Sequence, residues 1–401
     1  MQLAPQKHTL GVLAGAGDYP RLVLEGAARA GVRVVCAGFR GAACARELKP
    51  LCAAYRTFRV GAVEAPTDYF HREGVTHVLM AGQIKPACIY TMWPDATARR
   101  LLSQMDRRNA HSIFGAVCEY GQQHGWVVLP STTFMEPHMP PAGHIAGPPP
   151  TPEQLAEAAG GMVIAREIAR LDIGQSIIVQ GQNVLSIEAF KGTNECLKSG
   201  GRRHQPVTLC KVTKPGHDMR FDVPCIGEST IRKCRKYGVG HIVIEADRTI
   251  VMQRARVEEL CNKWGITLHA MPMPRGGPTV PELPHVGSDE EHARALAQQL
   301  EALGLGHSAV VCDGVVIAAE DPEGPLKCMK RAAAYMRRLW LLRLINWLLR
   351  MLLGISTTPP APMVMAGTPR LQITPELTRT AKKSHIELRM TPFEVRSTND
   401  E

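Results

Sequence analysis

Among the twelve cysteines no two stand in a C-x-x-C spacing, which removes zinc-ribbon and dithiol-redox readings. They lie inside apolar runs such as "VVCAGF", as core thiols of a reducing compartment do. Aromatic residues make up only 5% of the chain and no recognised nucleic-acid module is present. The formal charge of +10 is therefore not read as a nucleic-acid footprint. No signal peptide opens the sequence, and the expected location is the cytoplasm. Acidic residues are also missing from 324–355, where seven Lys/Arg fall, and 188–238 carries eleven Lys/Arg against five Asp/Glu. That imbalance points to a phosphate ester or an acidic lipid surface as partner.

Two further absences bear on "LGVLAGAGDYP" (Leu10–Pro20), a hydrophobic strand running into a Gly-X-Gly turn. A nicotinamide site needs a third glycine for helix–strand packing, and Pro20 stands there instead. It also needs an acid ending the second strand to hold the ribose, and "VRVVCAGF" offers none. What survives is a turn at Gly15 and Gly17 whose backbone N–H groups meet a phosphate or sugar at a helix N-terminus. A tight strand–helix turn without a ligand fits these residues equally well.

What is present is alternation of strand and helix over 9–145. "TLGVLAGAG", "VRVVCAGF", "VTHVLMAG" and "WVVLPST" read as strands, with "YPRLVLEGAARAG" and "SIFGAVCEYGQQHG" as helices between them. Buried apolar strands in this order predict a Rossmann-like parallel sheet with helices on both faces. "MPPAGHIAGPPPTP" (Met139–Pro152) is expected to hold no regular structure and to mark a domain boundary. A second α/β (α+β) domain is expected over 151–272. It opens on a capping box at Thr151 and Gln154, with Pro152 at the first helical position. "QSIIVQGQNVLSIEA" reads as a hairpin, "HQPVTLCKVTK" as a strand, "STIRKCRKYG" and "ARVEELCNKWG" as helices, and "HIVIEADRTIVM" as a strand pair.

The remaining third repeats part of this domain. Gln175–Lys198 aligns without gaps to His307–Lys330, with seven identities that include Glu188/Glu320 and Gly192/Gly324. Both hairpins follow a capped helix, so 285–333 is read as a partial repeat of 151–202. In "RRLWLLRLINWLLRMLLGI" (Arg337–Ile355), Arg343, Asn346 and Arg350 form one narrow polar stripe on an otherwise apolar helix. Arginines near mid-segment disfavour a bilayer span, and 336–355 is expected to lie in the membrane interface. Residues 356–401, rich in Pro and Thr, are expected to be a disordered tail.

Two clusters carry chemistry. "AGQIKP" (Ala81–Pro86) ends a strand and offers Gln83 and Lys85 where open α/β sheets collect ligands. "KVTKPGHDMRFDVPCIGEST" (Lys211–Thr230) delivers Lys214, His217, Asp218, Arg220 and Asp222 between Pro and Gly turns. Carboxylates beside cations suit metal-assisted cleavage of a phosphoanhydride, the acids holding a Mg²⁺ or orienting a water. A solvated loop laced with ion pairs is the commoner fate of such a cluster.

"LGVLAGAGDYP", "AGQIKP", "LDIGQSIIVQGQNVLSIEAFKGTNECL", "KPGHDMRFDVPCIGESTI" and "GVGHIVIEADRTIVMQR" stand here in the order found in the LpxI-type UDP-2,3-diacylglucosamine pyrophosphatases of lipid A biosynthesis. Over residues 9–272 the chain resembles that family. The resemblance implies two α/β domains with the lipid product held between them. It also implies Mg²⁺-dependent hydrolysis of UDP-2,3-diacylglucosamine to UMP and 2,3-diacylglucosamine 1-phosphate. The family's essential aspartate falls on Asp222, read as catalytic residue and metal ligand, with Asp218 and Arg220 beside it. The substrate contacts implied are Gly15, Gly17, Gln83, Lys85, Glu188, Gly192, Thr193 and Lys214. The partners expected are the lipid-linked nucleotide-sugar and the inner-membrane surface, with a homo-oligomer left open and no nucleic acid. Two departures stand out. The family's "EGTD" reads Lys191-Gly192-Thr193-Asn194, and His217 replaces the more usual glutamine. The first of these, with the degraded extra copy in which Pro325 answers Thr193, favours an alternative, a catalytically altered paralogue that binds nucleotide-sugar or lipid as a regulator or partner.

Overall fold

Five short parallel strands build the first sheet of the computed structural model, which describes residues 8–84, 92–105, 110–202, 206–216, 218–221, 223–276, 287–334 and 362–390. In chain order they are β1 (Thr9–Ala14), β2 (Arg33–Phe39), β3 (Ala54–Phe58), β4 (His77–Ala81) and β5 (Val127–Val128), arranged 3-2-1-4-5. β1, β2 and β4 read as near-continuous apolar runs because helices cover both faces. The helix Tyr19–Arg29 starts with proline in its first turn and ends before Gly31, which takes a positive φ. The chain order reverses between β1 and β4, so a crevice opens at their carboxyl ends.

The second sheet is mixed. β6 (Gly143–Ala146), β7 (Ser176–Gln180), β8 (Asn183–Ile187), β9 (Val207–Lys211), β11 (Val239–Glu245) and β13 (Thr267–Met271) lie in the order 6-13-11-9-7-8. β9, β11 and β13 are parallel, while β6 and β7 run against their neighbours. The helix Pro152–Arg170 opens on the expected capping box, with the Thr151 and Gln154 side chains bonded reciprocally to backbone N–H groups. A separate two-stranded piece joins β10 (Cys225–Ile226) to β12 (Ile250–Val251) in parallel.

Three readings are corrected here. Met139–Pro152 does contain regular structure, because β6 forms at the sheet edge, where a Pro- and Gly-rich segment is tolerated. The first domain therefore ends before Gly143, not at 145. "HIVIEADRTIVM" does not fold back as a strand pair, since β12 leaves β11 and pairs with β10. The tail expected to be disordered forms β16 (Met363–Gly367), the helix Pro375–Ser384 and β17 (Ile386–Met390). These residues bury Met365, Leu377 and Ile386, enough apolar surface to join a sheet. With β14 (Ser308–Cys312) and β15 (Val315–Ala319) they make a third sheet, ordered 15-14-16-17. The interfacial helix expected over 336–355 lies outside the described residues. Among the described residues no helix is long and apolar enough to cross a membrane.

The core of the first domain extends into the second. Leu10, Val12 and Leu79 share one buried cluster with Ile250, and Val223, Cys225 and Met252 pack against it. Eight of the eleven described cysteines are buried and none is in a disulfide, as the core-thiol reading expects.

Candidate active site between the two domains

The glycine turn and the "AGQ" turn meet at the ends of β1 and β4. Gly15 N–H donates to Ala81 O at 2.8 Å, and Ala16 and Gln83 exchange backbone hydrogen bonds. A Cβ at Gly15 would stand 2.8 Å from the Gln83 carbonyl oxygen, so only glycine allows the two loops this close. Gly17 takes φ 90° and turns the chain into the helix that begins at Tyr19. Both loops thus border the crevice where open α/β sheets bind ligands. Lys85 lies outside the described residues.

The acidic loop of the second domain is fastened to this same place. It leaves β9 at Lys211, and Thr213 N–H donates to Glu245 Oε2 at 2.7 Å, which fixes its start. Its middle crosses to Ser131 of the first domain, whose N–H donates to Met219 O at 2.7 Å. The buried Ser131 hydroxyl lies 2.7 Å from both Met80 O and Arg220 O and donates to one at a time. Ser131 O in turn accepts from the Tyr19 hydroxyl at 2.6 Å. Burial pushes that phenol well above its usual pKa, so it remains a donor. Phe221 stacks on Phe114 with ring centroids 5.9 Å apart. Gln253, held in the left-handed region at φ 51°, donates through its side chain to Asp18 at the head of the first helix.

Within the loop Asp218 is engaged with Arg220. Arg220 Nε sits 2.8 and 2.9 Å from the two carboxylate oxygens, Nη2 adds a further bond, and the Arg220 backbone N–H closes the turn at 3.0 Å. The carboxylate raises the Arg220 pKa further, chiefly through these hydrogen bonds. Asp218 is thereby placed to orient the guanidinium. Cys118, beside the pair, is pushed up to about 11, burial outweighing the guanidinium's opposite pull. Asp222 and His217 lie outside the described residues. Both neighbours of Asp222, Phe221 and Val223, are anchored on the first domain.

A second polar cluster lies at the end of β9. Lys211 Nζ stands 3.1 Å from Ser176 Oγ, 3.2 Å from Thr193 Oγ1 and 3.8 Å from Glu188 Oε2. Thr193 Oγ1 lies 3.2 Å from each Glu188 oxygen. Gly192, at φ 76°, caps the helix Thr193–Gly200, a left-handed position that favours glycine. Glu188, Gly192 and Thr193 are therefore brought together as the sequence suggested. Lys214 is not part of this group, since its Nζ pairs with Asp172 Oδ1 at 2.7 Å.

Sequence reasoning passed over Lys211, Ser131 and Gln253. Lys211 had a signal, a lysine at the end of an otherwise apolar strand. Ser131 and Gln253 act through contacts across the domain boundary, which no local pattern reveals. Among the described residues no group of three or more His, Cys, Asp and Glu gathers as a metal cage. Glu188, Asp218 and Glu245 each already face a donor or cation.

Fold and site together define an α/β protein in which a loop of the second domain, bearing a pinned arginine, is fastened to the strand ends that carry the glycine turns of the first. The LpxI N-terminal domain family model matches residues 9–138, and the LpxI C-terminal domain model matches residues 141–269. The chain belongs to the LpxI family. It is 29% identical over 206 residues to the UDP-2,3-diacylglucosamine pyrophosphatase LpxI of Caulobacter vibrioides, covering 48% of this chain and 74% of that one. A solved ADP complex of purK, an N5-carboxyaminoimidazole ribonucleotide synthetase, is 14% identical over 47% of this chain and 43% of that one. Its TM-score is 0.18, at which the likeness carries no argument.

Proposed function

We propose that this chain is a lipid A pathway hydrolase that cleaves the pyrophosphate of UDP-2,3-diacylglucosamine to UMP and 2,3-diacylglucosamine 1-phosphate. Family membership and the named relative support that class of enzyme. The observation that carries the reading is the crossing of the 218–223 loop to the carboxyl ends of β1 and β4. That crossing supports the reading by bringing the backbone of a segment bearing cationic and acidic residues to the strand ends that carry the glycine turns.

In this reading the Gly15–Gly17 and Gly82–Gln83 turns meet the nucleotide half of the substrate through backbone N–H groups. Arg220, held by both carboxylate oxygens of Asp218, neutralises charge on the non-bridging phosphate oxygens as it develops. Lys211 keeps Glu188 and Thr193 together at the head of the helix that follows. Asp222 is the proposed acid of the reaction and the proposed ligand of a Mg²⁺. Mg²⁺ is usually held by one or two carboxylates with phosphate oxygens and water, so no three-residue cage is needed. When bound, the ion would supply Lewis-acid stabilisation of the pyrophosphate. The segment 337–355 is proposed to hold the enzyme at the inner-membrane surface, where its lipid substrate resides.

The test is release of UMP from UDP-2,3-diacylglucosamine by purified protein with Mg²⁺ or Mn²⁺. Absence of UMP under both conditions, with the nucleotide-lipid still bound, would establish the altered-paralogue reading instead. Lys191 and Asn194, standing where relatives carry acids, are the residues that favour that second reading.

A further inference from the structure

The third sheet repeats the second-domain core well beyond the hairpin. β14 and β15 pair with the same residue offsets as β7 and β8, and the register slips at the same step, Ile178/Val179 in one and Val310/Val311 in the other. β16 then lies antiparallel to β14 as β9 does to β7, with Ser308 opposite Gly367 and Ser176 opposite Lys211. A helix ending in a left-handed residue follows each, Gly238 in one and His385 in the other. Each leads to a strand parallel to the last, β11 in one and β17 in the other. The order 15-14-16-17 is thus the order 8-7-9-11 made again.

The second copy has kept the fold and lost the chemistry. Gly367 stands where Lys211 does, and Pro325 where Thr193 does. The stretch 212–227, which bears the acidic loop, shrinks to 368–374. Glu320 remains, and its Oε2 accepts from Ser308 Oγ at 2.6 Å with no lysine at the Gly367 position. What the copy has retained is its packing face. Ile177, Val179 and Val184 of the first copy, and their counterparts Ala309, Val311 and Val316, all lie in one continuous buried cluster. Ile168 and its counterpart Leu300 join it from the two capped helices. Equivalent residues of two copies meeting in one core is the pattern of a two-fold, self-complementary interface. Phe190 of the first copy also packs into the outer core of the second, and Ser199 Oγ lies 3.4 Å from Glu323 Oε2.

We propose that residues 288–390 are an internal, catalytically silent partner subunit, covering a face of the catalytic copy that would otherwise pair with a second copy of itself. A monomer then does what a homodimer does with two chains, with one active site instead of two. The same face explains why the copy persists after losing Lys211 and the loop, since its packing residues are those that remain.

The experiment uses the full chain with a protease site inserted at 280, between the copies. By light scattering the uncut protein is expected at the mass of one chain, 43.8 kDa. After cutting, the two fragments are expected to co-elute one to one without denaturant. In the same cut protein carrying Leu296→Asp, a shared-core residue of the second copy, the N-terminal fragment is expected to be released and to run at twice its own mass. Leu296→Met should keep the fragments together. Fragments that part without the substitution overturn the proposal, as does a released N-terminal fragment of any mass other than a dimer.

Discussion

Replacing Lys211 with methionine isolates the charge at the end of β9 while keeping the length of its stem. Lys211 Nζ lies 3.8 Å from Glu188 Oε2, and the two side chains are only 6% and 13% exposed. At an effective dielectric constant of about 20 their attraction is about 4 kcal/mol. Methionine removes that attraction and leaves Glu188 with the Thr193 hydroxyl as a neutral donor. Breaking one side of a buried pair costs about 3–5 kcal/mol, and the surviving threonine bond places the expected loss near the lower figure. In a domain of this size that loss lowers the melting midpoint by about 10 °C. The double variant Lys211→Met/Glu188→Gln removes the stranded charge as well, and is expected to recover more than half of the loss. Thermal melts of the wild type, both single variants and the double variant at pH 7.5 read this directly. UMP release assayed at 20 °C on the same set shows whether a restored fold restores turnover. A Lys211→Met midpoint within 2 °C of wild type, or a double variant no better than the single, would refute the reasoning.

Three further outcomes are expected. Asp222→Asn loses most turnover while retaining binding of the diacylated nucleotide-sugar, because a carboxylate acting on the reacting pyrophosphate matters chiefly in the transition state; calorimetric binding alongside UMP release checks it. His241 is buried on β11, and burial lowers its pKa to about 4, below the unfolded value of about 6.5. The unfolded state therefore binds the proton first as pH falls, so stability drops by about 2 kcal/mol between pH 7 and pH 5, a slope that urea midpoints should show and His241→Leu should flatten. With 337–355 acting as the proposed membrane attachment, the full chain should sediment with anionic vesicles and be only partly released by high salt, since its arginines are screened and burial of its apolar residues is not.

The strand–helix alternation of the first domain was legible because its parallel strands are buried on both faces and show unbroken apolar runs. Glu188, Gly192 and Thr193 were legible as a group because they are close in sequence. β6 was not, since it is short and pairs with β13 far along the chain, and β12 was read as a strand but with the wrong partner, because β10 lies on the other side of a helix. β16 and β17 were hidden for a related reason. Their few apolar residues look unremarkable until β14 offers an edge to pair with, and the ungapped repeat ends at Lys198 and Lys330, beyond which the second copy takes a much longer stretch to reach its third strand. The pairing of Lys214 with Asp172 was not legible, because the two are brought together only by the fold.

Ser131 accounts for how motifs separated by two hundred residues come to share one site. It follows β5 in the first domain, yet its hydroxyl stands between the carbonyl oxygen of Met80, on β4, and that of Arg220, on the acidic loop. Its own carbonyl accepts from Tyr19, which begins the helix after the glycine turn. One buried residue therefore sets the spacing among the glycine turn, the "AGQ" turn and the loop, although it belongs to none of them. Opening the cleft at this point would break the Ser131 bonds to Met219 and Arg220 and the Gln253 bond to Asp18 together. Each such hydrogen bond contributes about 0.5–1.5 kcal/mol net, so losing them together disfavours the opening. The loop is thus held in place by the fold itself.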